Sequence, residues 1–182
     1  MKKILFVVGS LRKDSFNRKM AAEAEKILAG RAEITYLGYS DIPYMCQDIE
    51  FPTPESVAKA RSAVRNSDGI WFFTPEYNYS YPGLLKNLLD WLSRPLKAND
   101  LTSGTAVMGK KATISGIGGK FQTEGARTKL KELLEFMKMS VLEKSTGATA
   151  NAEAWAGGEL VFSEETKDSL RKQADAFLDF LE

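Results

Sequence analysis

The stretch KILFVVGSLRKDSFNRKM (residues 3–20) passes from a continuous apolar run through a polar loop into a helical pattern. The run KILFVVG (residues 3–9) lacks the alternation of a half-exposed strand, and such runs are typical of strands buried on both faces of a parallel sheet. After Phe16 the apolar side chains recur at the spacing of one helical face, at Met20, Ala24, Ile27 and Leu28. A buried strand followed by an amphipathic helix is the repeating unit of α/β folds.

The same alternation continues along the chain. Further strands are predicted at AEITYL (residues 32–37), GIWFFT (residues 69–74), KKATISGIGG (residues 110–119) and MSVLEKS (residues 139–145). Helical patterns are centred on residues 57–64, 84–92, 130–137 and 170–181. Thr53 is expected to cap the second helix. Residues 146–163 have no pattern that predicts an element.

The repeated alternation of strand and helix predicts a doubly wound α/β fold, in which a five-stranded parallel sheet carries helices on both faces. A chain of 182 residues suits one domain, and no linker or repeat divides it, so residues 1–182 are expected to form a single domain. Ligands of such folds bind beyond the carboxyl ends of the strands, near the point where the strand order reverses. That rule selects the loops at residues 9–17, 74–82 and 115–121.

The composition of the chain excludes several kinds of binding and catalytic site. Hydrophobic residues make up 43% of the chain, and the net charge is +1 with both signs interleaved, which disfavours a nucleic-acid groove. The chain has no histidine, so Ser-His-Asp and Cys-His catalysis and histidine-ligated zinc are excluded, and any metal site would need carboxylates. The single cysteine, Cys46, cannot form an intrachain disulfide and favours a reducing compartment.

The N-terminal apolar run does not resemble a secretory signal. It covers only Ile4 to Val8 before Gly9 and Ser10, whereas a signal peptide needs about 7–15 apolar residues. No stretch approaches the ~20 apolar residues of a membrane span. We therefore expect a cytoplasmic protein without a membrane partner.

The first selected loop, GSLRKDSFN (residues 9–17), is rich in groups that bind anions. Ser10, Arg12, Ser15 and Asn17 offer two hydroxyls, a guanidinium and an amide, and the following helix adds free N–H groups and its dipole. The loop carries neither G-x-G-x-x-G nor a Walker A motif. It predicts a phosphate site, although Ser15 acting only as a helix cap and Arg12 as a solvated side chain is the alternative.

The second loop, TPEYNYSYPG (residues 74–83), places Glu76, Tyr77 and Asn78 after the proline that ends a strand. Aromatic faces and an amide that both donates and accepts suit a flat heteroaromatic ring such as a flavin. Tyr79 and Tyr81 are expected to flank the ring or to form a subunit contact. The alternatives are a simple turn whose tyrosines pack on the next helix, and Glu76 as a general acid or base, for which no partner is identifiable.

The third loop, SGIGGKFQTEG (residues 115–125), combines a serine with several glycines before a helix. Ser115 and Gly116 are expected to bring backbone N–H groups close to a flat ring without a side-chain clash. By itself the pattern is weak, because many strand-to-helix turns carry glycines.

Two of these stretches together resemble one family. GSLRKDSFNRKMA (residues 9–21), followed by TPEYNYSYPGLLKNLLDWLSRP (residues 74–95), is similar to the NADPH-dependent FMN reductase family, the flavodoxin-like group that includes quinone, azo-dye and chromate reductases. The resemblance covers most of the chain. It implies that the FMN phosphate is held by Ser10, Arg12, Ser15 and Asn17 and by the backbone of Phe16. For the isoalloxazine it implies Pro75, Glu76, Tyr77 and Asn78, with Ser115 and Gly116 close by.

The resemblance also implies a function. NADPH or NADH would reduce bound FMN, which would pass electrons to quinones, azo compounds, nitroaromatics, metal oxyanions or free flavin, with no catalytic side chain. Family members are homodimers or homotetramers, and LLKNLLDWL (residues 84–92) would supply part of the contact. Tyr81 departs from the family's small aliphatic residue and would narrow the substrate pocket. The alternatives are an electron-carrier flavodoxin and a flavin-binding regulatory module without turnover.

Overall fold

The computed structural model describes all residues from 1 to 182. The strands are β1 (Lys2–Val8), β2 (Ala32–Tyr36), β3 (Gly69–Phe73), β4 (Lys111–Gly118), β5 (Ser140–Val141) and β6 (Thr146–Thr149). The α-helices are α1 (Phe16–Leu28), α2 (Glu55–Asn66), α3 (Gly83–Leu92), α4 (Glu124–Phe136), α5 (Ala152–Trp155) and α6 (Glu164–Leu181). A short 3-10 turn covers Gln47–Ile49. No helix has both the length and the apolar character that crossing a bilayer demands.

The sheet is parallel throughout, in the order β2-β1-β3-β4-β5. Val8 is in register with Phe73, and Phe73 with Ser115, so the central strands reach the same edge of the sheet together. The chain order reverses between β1 and β3, which makes the space above their carboxyl ends the switch point of the fold. The predicted flavodoxin-like, doubly wound architecture is confirmed.

The fifth strand differs from its prediction over residues 139–145. It consists of two segments along β4: β5 pairs with Lys111 and Ala112, and β6 pairs with residues 115–118. β6 lies in the stretch that the sequence pattern left unassigned. Its small residues gave no apolar pattern, and Gly147 is small because a Cβ there would collide with the Arg127 guanidinium and the Gln122 carbonyl. The edge of the sheet therefore continues as far as the carboxyl end of β4.

Two apolar layers cover the sheet. One contains the buried faces of α1 and α6, and the other those of α2, α3 and α4. A buried polar chain crosses the first layer: Trp71 Nε1 donates to Ser115 Oγ (2.9 Å), and Ser115 Oγ donates to Gln173 Oε1 (2.9 Å). Gln173 in turn donates to Thr113 Oγ1 (2.7 Å) and the Ile114 carbonyl (2.9 Å). Satisfied buried networks of this kind fix one arrangement of the packed elements, here of α6 on the sheet.

The start of α2 corrects a second prediction. The N-cap is Pro54, which offers no capping side chain, and not Thr53. The Thr53 hydroxyl instead donates to the Glu50 carbonyl (3.2 Å) and accepts from Arg61 Nη1 (3.3 Å). Thr53 therefore supports the loop before the helix and not the helix terminus.

Candidate functional site

A cavity of about 210 Å³ lies at the carboxyl ends of β1, β3 and β4, at the switch point of the sheet. It is lined by Ser10, Arg12, Ser15, Phe16, Asn17, Pro75, Glu76, Tyr77, Ile117, Gly118, Gly119, Phe121, Thr123 and Trp155. All three loops selected by the sequence contribute to it. The fourth contribution, Trp155 on α5, comes from the stretch without a predicted element.

The N-terminus of α1 opens onto this cavity. Ser15 caps the helix, since its Oγ accepts from Arg18 N at 3.4 Å. The N–H groups of Phe16 and Asn17 lie in the first turn, where the helix has no carbonyl to offer them, and no side chain accepts from them. The first turn also carries no acidic residue. An anion placed here would meet free donors and the positive end of the helix dipole.

Arg12 brings a positive charge to the same place. Its backbone is fixed, because Arg12 N donates to Ser10 Oγ (3.3 Å) and its carbonyl accepts from Ser15 N (3.1 Å). The guanidinium lies over the Phe16 ring, 4.8 Å from its centroid, and pairs with no carboxylate. Its donors are therefore free for a ligand.

Asn17 lines the cavity, and its side chain also makes contacts within the protein that the sequence did not predict. Its amide Nδ2 donates to the Ile117 carbonyl (3.0 Å) and its Oδ1 accepts from Ile117 N (3.1 Å), and the residue is only 2% exposed. Both ends of the side chain are thus used to join α1 to the end of β4. The Asn17 backbone N–H has no partner in the protein and remains for a ligand.

Glu76 lines the cavity but is occupied. Its Oε2 accepts from Ala126 N (2.9 Å) in the first turn of α4, a terminus whose N-cap, Thr123, makes no capping side-chain bond. A carboxylate at a helix N-terminus is favoured by the dipole and by the otherwise free N–H. Glu76 therefore fixes the loop after β3 to α4, and it is the only carboxylate that lines the cavity.

Asn78 is not brought to the cavity. Asn78 and Tyr79 both have positive φ (53° and 58°), and they form the tip of a tight turn closed by hydrogen bonds between Tyr77 and Ser80. Asparagine tolerates this left-handed conformation better than most residues, which explains its presence without a ligand. Lys129 Nζ donates to the Tyr79 carbonyl (2.6 Å) and holds the tip against α4. Asn78 is not among the residues that line the cavity, so the contact of its amide with a ring stays a prediction.

Comparison with known proteins identifies the chain. Residues 2–154 match the sequence profile of the family described as NADPH-dependent FMN reductase. The chain belongs to this family. It is 33% identical over 185 residues to the quinone reductase of Escherichia coli K12, covering 98% of this chain and 95% of that protein. It is 32% identical over 179 residues to a 2-hydroxy-1,4-benzoquinone reductase of a Burkholderia species, covering 96% of this chain and 93% of that one.

Solved structures agree with the assignment. The flavoenzyme NAD(P)H:(acceptor) oxidoreductase of Paracoccus denitrificans superimposes with a TM-score of 0.86 at 34% identity, covering 100% of this chain and 97% of that chain. A flavodoxin from an archaeon superimposes with a TM-score of 0.63 at 12% identity, which is a likeness of fold alone. The FMN reductase family and the flavodoxin-like fold predicted from the sequence are both confirmed.

In this member of the family, Ser115 and Gly116 of the third loop lie outside the cavity. Ser115 is fully buried inside β4, where its hydroxyl belongs to the Trp71–Gln173 network, and Gly116 lies beneath Thr123. Neither residue lines the cavity, because β4 continues to Gly118. Other residues at the end of β4 and in the loop after it line the cavity instead: Ile117, Gly118, Gly119, Phe121 and Thr123.

The tyrosines of the second loop lie in different surroundings. Tyr81 packs into the apolar layer beside α3, where burial raises the pKa of its hydroxyl, so it does not narrow the cavity as expected. Tyr79 is exposed at the turn, with its ring centroid 6.2 Å from that of Phe121. Of these side chains only Tyr77 and Phe121 line the cavity itself.

Thr123, within the third loop, and Trp155, outside all three loops, were not among the predicted site residues. Thr123 is 2% exposed and adopts φ 58° directly after Gln122 at φ 52°, and its buried Oγ1 has no hydrogen-bond partner. Consecutive left-handed residues and an unpaired buried hydroxyl are costly, and such strain gathers at ligand sites. Trp155 meets the Phe16 ring edge to face, with centroids 5.0 Å apart. The pair of strained residues and the unpaired hydroxyl fit a loop that is built around a ligand.

Proposed function

We propose that residues 1–182 form one FMN-binding domain and act as an NAD(P)H oxidoreductase that delivers electrons to quinones. The observation that carries the proposal is the cavity at the switch point, where a guanidinium and free helix N–H groups occur beside aromatic side chains and glycines. A phosphate ester attached to a flat ring is the kind of ligand that needs both. FMN has that structure.

The phosphate would be held by the first loop. The Ser10 and Ser15 oxygens already accept from backbone N–H groups, which leaves each hydroxyl proton free to donate to a phosphate oxygen. The N–H groups of Phe16 and Asn17 and the Arg12 guanidinium complete the donor set. Hydrogen bonds to a charged acceptor are roughly twice as strong as neutral ones, so this loop would supply most of the specificity for FMN over riboflavin.

The ring would lie among Pro75, Tyr77, Ile117 and the glycines at 118 and 119. Apolar and aromatic side chains cover a flat ring, while backbone without side chains allows close approach to its polar edge. When bound, FMN supplies the electron transfer from the nicotinamide to the acceptor. The residues of the chain orient the reactants and exclude water from them.

The cavity is lined by no histidine and by no carboxylate other than the hydrogen-bonded Glu76. Glu76 is bonded to the N-terminus of α4, and the chain has no histidine. A reaction carried by the cofactor needs neither group. This arrangement favours oxidoreduction over hydrolysis or group transfer, because no base is hydrogen-bonded to the Ser10 or Ser15 hydroxyl to activate it as a nucleophile.

Quinones are the favoured acceptors because the relatives at 32–33% identity are named as quinone reductases. Azo compounds, metal oxyanions and free flavin remain secondary candidates on the family resemblance. The exposed rings of Tyr79 and Phe121 near the cavity support a homodimer or homotetramer in which a second copy covers them. Light scattering of the purified protein measures this directly. The exposed, unpaired thiol of Cys46 agrees with a cytoplasmic location.

A steady-state assay tests the function. The protein is loaded with FMN and freed of excess, and oxidation of NADPH or NADH is followed in the absence of oxygen, with and without 1,4-benzoquinone. We expect nucleotide oxidation that requires both the loaded protein and the quinone, with Arg12→Ala needing added FMN to reach the same rate. FMN that binds without supporting any oxidation of either nucleotide would favour the electron carrier or the regulatory module instead.

A further inference from the structure

We propose that Trp155 is a positioning residue for the phosphate-binding guanidinium of Arg12, acting through the ring of Phe16. The inference rests on the proposed function, because it assigns a role toward the same FMN phosphate. It concerns a residue outside both sequence motifs, on the short helix α5. Three observations support it: Arg12 has no other side-chain contact of its charge, Trp155 packs against the Phe16 ring, and the loop of Trp155 is anchored.

The direction of the Arg12 side chain depends on Phe16. The guanidinium makes no salt bridge, and no hydrogen bond within the protein uses its donors, whereas the Phe16 ring centroid lies 4.8 Å away. Arg12 is exposed, and an unrestrained arginine loses considerable rotamer freedom when it binds a ligand. A stacked ring reduces that loss beforehand, provided the ring itself keeps one orientation.

Trp155 restrains that ring. The two rings meet edge to face, with centroids 5.0 Å apart and planes at 86°, which is a favoured geometry for aromatic pairs. Phe16 is only 7% exposed, whereas Trp155 is 60% exposed. Removing the indole would open the side of Phe16 that it covers and would allow the ring to take other rotamers. The guanidinium stacked on Phe16 would then lose its fixed direction.

The loop that carries Trp155 is anchored at both ends. Asn151 Nδ2 donates to the Glu159 carbonyl (3.1 Å), and Asn151 Oδ1 accepts from Val161 N (3.0 Å). Ala154, the neighbour of Trp155, is buried in the apolar layer that also contains Phe16. The indole therefore stays near Phe16 although most of its own surface is in water. A large exposed tryptophan contributes little to the core, so its position points to the site.

The test compares the binding of FMN with that of riboflavin. Riboflavin has the ring and the ribityl chain of FMN but no phosphate, so a residue that acts through Arg12 affects FMN binding alone. We would measure dissociation constants for both flavins by fluorescence quenching, with the full-length protein freed of flavin. The variants are Trp155→Ala, Trp155→Phe, Arg12→Ala and the double variant with both alanines. Phe136→Ala, an exposed aromatic at the end of α4, is the matched control.

We expect Trp155→Ala to weaken FMN binding about three- to tenfold, the range given by one aromatic or cation–π contact. Riboflavin binding stays within twofold, Trp155→Phe restores most of the FMN affinity, and Phe136→Ala binds both flavins like the wild type. In the Arg12→Ala background the tryptophan substitution has no further effect, because the guanidinium that it positions is gone.

Two results would overturn the inference. Equal losses of FMN and riboflavin affinity would mean that the indole contacts the ring or ribityl chain directly. Additive losses in the double variant would mean that Trp155 acts independently of Arg12. Failure of the wild-type protein to bind FMN at all is a separate result, and it would overturn the proposed function itself.

Discussion

Replacing Asn17 by alanine separates a structural role from a ligand-binding role. The side chain joins the first turn of α1 to the end of β4 through two buried hydrogen bonds to Ile117, at 3.0 and 3.1 Å. Asn17→Ala leaves both the N–H and the carbonyl of Ile117 without partners. Each unsatisfied buried group costs about 1–3 kcal/mol, so loss of the partner of both groups should lower the free energy of unfolding by roughly 2–6 kcal/mol. The residues next to Ile117 line the cavity, so flavin binding should weaken as well.

Urea unfolding of the flavin-free protein measures the stability, and fluorescence titration measures the binding. Asn66→Ala is the matched control, because that amide is exposed and makes one long bond to Ser62 (3.4 Å). We expect the control to stay within about 0.5 kcal/mol of the wild type. Asn17→Ala should weaken FMN and riboflavin binding by similar factors, since no phosphate contact is lost with the side chain. Unchanged stability together with a loss confined to FMN would refute this reasoning and restore Asn17 as a phosphate ligand.

Three further substitutions test other parts of the site. Arg12→Ala should weaken FMN binding by about 1.5–3 kcal/mol, the worth of a charged hydrogen bond, while riboflavin titrations stay unchanged; a loss shared by both flavins would contradict the phosphate assignment. Glu76→Gln should keep the activity in the quinone assay, because an amide oxygen still accepts from α4, and loss of turnover would instead make the carboxylate catalytic. Gly116→Ala should destabilise the protein by about 1–3 kcal/mol in urea, because its Cβ would overlap the Thr123 side chain. Gly38→Ala, which meets open space, is the control, and equal stability of the two variants would count against the close packing.

Much of the fold was predictable because its strongest elements are local patterns. β1 and β3 are continuous apolar runs buried on both faces, and the helices between them repeat at helical spacing. The edge of the sheet was not predictable in the same way. β6 consists of Thr146–Thr149, and its Gly147 is required by the close approach of Arg127 and Gln122, which the sequence does not reveal.

The residues of the site also differ in whether local sequence or long-range contacts determine their placement. The cap at Ser15, the free N–H groups of α1 and the nearby Arg12 were predictable, because they all belong to one short stretch. The partner of Asn17 lies 100 residues away along the chain, so its use as a structural link was invisible. Which residues of the third loop line the cavity depends on where β4 ends, and the ends of strands are the feature that a sequence predicts least reliably. Trp155 reaches the cavity only because β6 brings α5 back to it.

The central claim is that FMN bound at the switch point is reduced by a nicotinamide nucleotide and oxidised by a quinone. An anaerobic titration of the FMN-loaded protein with NADPH, then with NADH, tests it by following the visible absorbance of the flavin. We predict that the absorbance is lost rapidly with at least one nucleotide and returns when 1,4-benzoquinone is added. Bound FMN whose absorbance neither nucleotide changes would contradict the claim.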